Sequence, residues 1–77
     1  MKTVQYFRAT RKSNRFNQGQ KVWIRLRFGN HFWVWYKFRG KGRKVSGMID
    51  ADNSAIGPIK TIEVSDKFAE RIEGMYR

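Results

Sequence analysis

Residues 21–50 read KVWIRLRFGNHFWVWYKFRGKGRKVSGMID, and the way this stretch pairs with itself decides the fold. From Lys21 to Phe28 the residues alternate, with Val22, Ile24, Leu26 and Phe28 on one side and Trp23, Arg25 and Arg27 on the other, which is the period of a strand. Phe32 to Arg39, FWVWYKFR, alternates in the same way. With Gly29, Asn30 and His31 as a three-residue turn, Phe28 pairs with Phe32, Leu26 with Val34, Ile24 with Tyr36 and Val22 with Phe38, an entirely apolar or aromatic face. The opposite face pairs Arg27 with Trp33, Arg25 with Trp35 and Trp23 with Lys37. A two-residue turn sets Arg25 against Val34 and Arg27 against Phe32, and the cost of burying unpaired guanidinium groups favours the longer turn.

A four-residue connection, Arg39 to Gly42, carries the pattern into a third strand. Tyr36 then faces Val45, Val34 faces Gly47 and Phe32 faces Ile49, while Lys37 meets Lys44, Trp35 meets Ser46 and Trp33 meets Met48. The expected sheet has one oily side and one side of Arg, Lys and Trp.

Working outward, β-branched and aromatic segments separated by Gly, Asn and Ser predict strands near 3–9, 20–28, 32–39, 43–50 and 59–64. Ser65 or Asp66 can cap a helix on which Phe68, Ala69, Ile72, Met75 and Tyr76 recur at helical spacing. The fold class expected is mainly β: a small antiparallel sheet, or an SH3-like or OB-like barrel of about five strands, with a short C-terminal helix. Neither a repeat nor a linker divides the chain, so residues 1–77 are read as one small basic domain.

Composition narrows the function. A chain of 77 residues buries roughly 60% of its unfolded surface and leaves little room for an enclosed active site. The absence of cysteine removes disulfides and thiolate zinc sites, and no cofactor or metal is expected. Charge enters the N-terminus early and no long apolar run occurs, so a soluble, cytoplasmic protein with no membrane partner is the expectation.

The formal net charge is +11, from 17 Lys and Arg against 6 Asp and Glu. The first 49 residues hold 13 of these cations and no acid; every acid lies between Asp50 and Glu73. Self-repulsion on this scale opposes compaction, and a polyanionic partner would relieve it. The composition therefore points to nucleic acid, RNA or single-stranded DNA, bound without catalysis.

Three segments supply the candidate binding residues. The first is the face bearing Trp23, Arg25, Arg27, Trp33, Trp35, Lys37 and Lys44, where cations neutralise phosphates and indoles stack on bases. On the alternative reading, the tryptophans are covered by other elements, with Arg stems lying over them. The second is the tip Arg39-Gly40-Lys41-Gly42-Arg43-Lys44, four cations with glycines that admit phosphate to the backbone. Its spacing is not that of a P-loop. The third is Arg8 to Gln20, RATRKSNRFNQGQ, whose Arg11, Lys12 and Arg15 could track a nucleic-acid backbone in a loop that is disordered alone.

Other readings remain open. A three-stranded sheet could lie in the major groove of duplex DNA. The chain could be a small ribosomal or viral accessory subunit docking on a protein partner, or a homodimer through an exposed strand edge. A small ribonuclease would need His31 or Tyr36 beside Lys and Arg, yet His31 is expected in a turn and Tyr36 on the oily face. Asp50, Asp52 and Glu63 could imitate a metal-nuclease cluster, although Asp50 to Ser54 reads as a turn. Neither the aromatic-glycine signature of RNA-recognition domains nor the Gly-x-x-Gly loop of KH domains occurs.

Overall fold

The computed structural model describes residues 1–39 and 44–73. It is mainly β, with strands β1 (Lys2–Arg8), β2 (Lys21–Phe28), β3 (His31–Lys37), β4 (Lys44–Asp50) and β5 (Lys60–Val64), and one helix, α1 (Asp66–Glu73). The expected strands lie within two residues of these bounds. Every neighbouring pair is antiparallel, in the order β4-β3-β2-β1-β5. That order is linear, so the sheet is open, with β4 and β5 as its two edges.

The β3–β4 register is the expected one, from Phe32 on Ile49 to Lys37 on Lys44. The β2–β3 register is not. Phe28 pairs with His31, so Gly29 and Asn30 form a two-residue turn and His31 belongs to β3. Gly29 has φ 57°, and among the described residues no non-glycine residue has positive φ, the sign pattern of a turn that needs Gly at its first central position. Arg27 accordingly faces Phe32 and Leu26 faces Trp33, which moves Leu26 and Phe28 off the oily face. Between Leu26 and Ile24 the register slips, and Ile24 then pairs with Val34 and Trp23 with Trp35. The extra residue is Arg25. A β-bulge there removes the conflict that argued against the short turn: Arg25 leaves the ladder, while Val22 and Ile24 return to the buried side.

Both faces of the sheet are covered. On the first, Phe7, Val22, Ile24, Phe32, Val34, Tyr36 and Ile49 meet Phe16 from the 9–20 loop and Ala55 from the 51–59 segment. Phe16 is buried edge-on to Tyr36, ring centroids 4.9 Å apart. The loop carrying it is tied down by the Ser13 hydroxyl, which accepts from the Arg15 and Phe16 amides, and by the Ala9 and Gly19 amides, which donate to Gln20 and Ala9 carbonyls.

On the second face, Val4, Tyr6 and Trp23 pack against Ala69 and Ile72 of α1, with Trp35, Ile62, Val64 and Phe68 around them. The expectation of one wholly polar Arg/Lys/Trp side is therefore corrected. Val4 and Tyr6 alternate onto the same side as Trp23, and together they make an apolar floor on which the helix buries its own stripe. The Ser65 hydroxyl caps α1 by accepting from the Phe68 amide at 3.2 Å, and the N-terminal ammonium lies 3.3 Å from Asp66. Met75 and Tyr76, also expected on this helix, lie outside the described residues. Among the described residues no helix is long and apolar enough to cross a membrane.

Candidate nucleic-acid interface

Strand pairing assembles a row of cations that the linear sequence disperses. Arg8 of β1 lies directly opposite Lys21 of β2, and Lys37 of β3 directly opposite Lys44 of β4. The β2–β3 ladder ends at Trp23–Trp35; beyond it the Lys37 carbonyl accepts from Gln20 Nε2 at 2.8 Å, and Lys21 and Lys37 line one cleft. Two cross-strand pairs of like charges thus lie at one end of the helix-covered face. Like charges directly opposite one another destabilise a sheet.

The next row inward is aromatic: Tyr6, Trp23 and Trp35, in register across β1, β2 and β3. The lysines lean over these rings. Lys21 Nζ is 5.2 Å from the Tyr6 centroid and 5.5 Å from that of Trp23, while Lys44 Nζ is 4.4 Å from Trp35 and 5.8 Å from Phe68. Arg71 of α1 adds its guanidinium 5.9 Å from Trp35. The ring faces hold the ammonium stems through cation–π attraction and leave the charge at the surface. Partial burial pushes the Lys44 pKa down, and the nearby Arg71 and Lys37 charges lower it further. A cleft of about 430 Å³ opens beside the row, lined in part by Lys21, Lys37, Arg39, Lys44, Trp23 and Phe68.

Among the described residues no acid pairs with this row. Among the described residues, Arg25 aside, no lysine or arginine side chain pairs with a carboxylate; the two ion pairs are Met1–Asp66 and His31–Asp50.

The residues expected from sequence divide between surfaces. Lys37 and Lys44 stand in the row, and Arg39, just past β3, lines the cleft while its amide donates to the Arg15 carbonyl. Trp35 is half-buried beneath Lys44 and Arg71. Trp23 is 8% exposed, edge-on to Phe68 at 5.1 Å, and is a core ring. Trp33 is half-buried beyond the helix, with Arg25 5.9 Å above it. Arg25 itself is engaged, donating to the Ser46 hydroxyl and the Glu73 carbonyl.

Arg27 does not share a face with Trp33. The bulge turns it to the other side, 5.2 Å from the Phe32 ring. Arg11, Lys12 and Arg15 ride on the 9–20 loop over that same side, away from the cation row. Lys41 and Arg43 lie outside the described residues.

Sequence reading missed Arg8, Lys21 and Arg71. Only the register pairs the first two with each other, and only the seat of α1 on Trp35 brings the third to the row. His31 bonds Asp50 at 3.3 Å at the far end of β3, six residues from Lys37 and about 20 Å along the strand. Tyr36 is buried on the opposite face. Asp50 and Glu63 lie on opposite edge strands, and no cluster of three metal-ligating residues occurs among the described residues. No family model, curated protein or solved structure matches the chain.

Proposed function

We propose that this protein binds RNA or single-stranded DNA without transforming it, using the row Arg8, Lys21, Lys37 and Lys44, with Arg39 and Arg71 beside it, to hold the phosphate backbone. The observation that carries this reading is the row itself: two cross-strand cation pairs, Arg8–Lys21 and Lys37–Lys44, at the rim of one cleft, on an aromatic floor, with no carboxylate partner among the described residues. Such an arrangement costs folding stability. A chain of phosphates laid along it turns that cost into binding energy, as each neutralised phosphate releases counterions.

The reading differs from simple base stacking on three tryptophans. Trp23 is inside the core, and Trp35 lies beneath cations, so these indoles act mainly by positioning Lys21, Lys44 and Arg71. The half-exposed edges of Trp35 and Phe68 supply apolar contact for sugars and bases. His31 lies at the far end of β3 from the row, and Tyr36, although it lines the cleft, is buried with its ring packed on Phe16, which favours binding over phosphodiester cleavage.

The test is a titration with single-stranded RNA, single-stranded DNA and duplex DNA of matched length at two salt concentrations. Binding of the single strands, weakening with salt at a log–log slope of about −0.7 per phosphate contacted, is expected. Tight duplex binding with weak single-strand binding would assign the sheet to duplex DNA. No binding to any of the three would overturn the proposal.

A further inference from the structure

Strand β4 is an open edge of the sheet, and its sequence, Lys-Val-Ser-Gly-Met-Ile-Asp, is self-complementary about Gly47. We propose that β4 pairs antiparallel with β4 of a second copy of this chain, centred on Gly47, joining two five-stranded sheets into one.

The backbone fixes which registers are possible. The Ala51 amide donates inward to the Asn30 carbonyl at 2.7 Å, so the odd-numbered residues of β4 point their backbone groups toward β3. The Met48 carbonyl instead accepts from Arg15 Nη1 at 3.1 Å, away from β3, so the even-numbered residues point outward. With Gly47 opposite Gly47 of the second copy, outward-facing Ser46 meets outward-facing Met48, and N–H···O bonds form on both sides of the two-fold axis. A register shifted by one residue on a single strand would set outward groups against inward ones and form no ladder.

The side chains agree with this register. Lys44 of each copy faces Asp50 of the other, giving two opposite-charge pairs, and Val45 faces Ile49. Gly47, on the axis, has no side chain. Beside this edge, Leu26 is 57% exposed and Met48 44%, in register across half-buried Trp33; this apolar row runs up to β4 and is not covered by α1. The other edge is built differently: β5 is five residues long, carries Lys60 and Glu63, and follows Pro58 closely. Arg15 guards the Met48 carbonyl in the single copy and swings aside when the second strand arrives.

Gly47→Cys tests the register, because the native chain has no cysteine. A Cβ at position 47 would sit 3.5 Å from both Tyr36 Oη and Arg15 Nη1, an ordinary contact, so the variant should fold. A non-hydrogen-bonded antiparallel pair has Cα atoms about 4.5 Å apart, within disulfide range. Under dilute oxidation Gly47→Cys is expected to form covalent dimer at least about tenfold faster than Thr61→Cys on β5, since only the former is prepaired.

Sedimentation in the absence of nucleic acid gives the second reading, independent of the proposed function. Wild type should dimerise with concentration, Lys44→Asp and Asp50→Lys should each be monomeric under the same conditions, and an equimolar mixture of the two should dimerise again. Equal cross-linking of the two cysteine variants, a monomeric wild type, or a mixture that stays monomeric would overturn the proposal.

Discussion

Lys44 concentrates the conflict between folding and binding in one side chain. Burial against Trp35 and Phe68, then the charges of Arg71 and Lys37, hold its pKa below the usual 10.5. The unfolded chain therefore takes up the Lys44 proton more readily than the folded one. Stability should rise with pH from the lowered folded value up to about 10.5. Denaturant unfolding across that window should show the rise in wild type and a flatter profile in Lys44→Gln. Phosphate binding should run the other way, weakening as Lys44 loses its proton. A different constraint acts at Gly57, where an added Cβ would lie 2.7 Å from the Arg8 carbonyl oxygen. Gly57→Ala should cost about 1–3 kcal/mol by denaturant unfolding, since the 51–59 segment must back away from β1. Side-chain identities alone marked Lys37 and Lys44 as binding residues. Gly57 drew no such attention, because close backbone approach leaves no trace in composition.

The central hairpin shows which information about elements the sequence carries openly. Strand positions follow from alternation, and the β3–β4 register follows from matching Phe32 with Ile49 and Tyr36 with Val45. The β2–β3 register does not, because two local signals compete. Gly29-Asn30 favours a two-residue turn, while the unbroken alternation of Val22, Ile24, Leu26 and Phe28 favours a longer one. The chain satisfies the turn at the tip and the apolar pattern at the base by bulging at Arg25, an adjustment that strict alternation cannot represent. The 9–20 loop hides its role similarly. Its composition is that of a solvated segment, yet Phe16 is buried against the sheet between Phe7 and Tyr36. Phe16→Ala should cost about 3–5 kcal/mol and free the loop from the face it covers. Amide hydrogen exchange of Ala9 and Gly19, both bonded within this loop, should then approach that of the unfolded chain.

Taken whole, the molecule separates its tasks in space. The 9–20 loop and the 51–59 segment close one side of the sheet, α1 closes most of the other, and the uncovered end of the helix side carries the cation row. The charge asymmetry legible in the sequence survives folding, since within one chain no described acid pairs with the row. What the sequence left scattered is the row's membership, which needs the pairing of four strands. The most direct measurement compares wild type, Lys37→Gln/Lys44→Gln and Arg11→Gln/Lys12→Gln for affinity to one single-stranded oligonucleotide over a range of salt. Loss of both row lysines should weaken binding and reduce the magnitude of the salt slope by about 1.4, at about 0.7 for each phosphate contact removed. The loop variant, on the opposite side of the sheet, should keep a slope near that of wild type. If the two double variants lose affinity and slope equally, the protein attracts polyanions through its net charge alone, and the cation row is not a site.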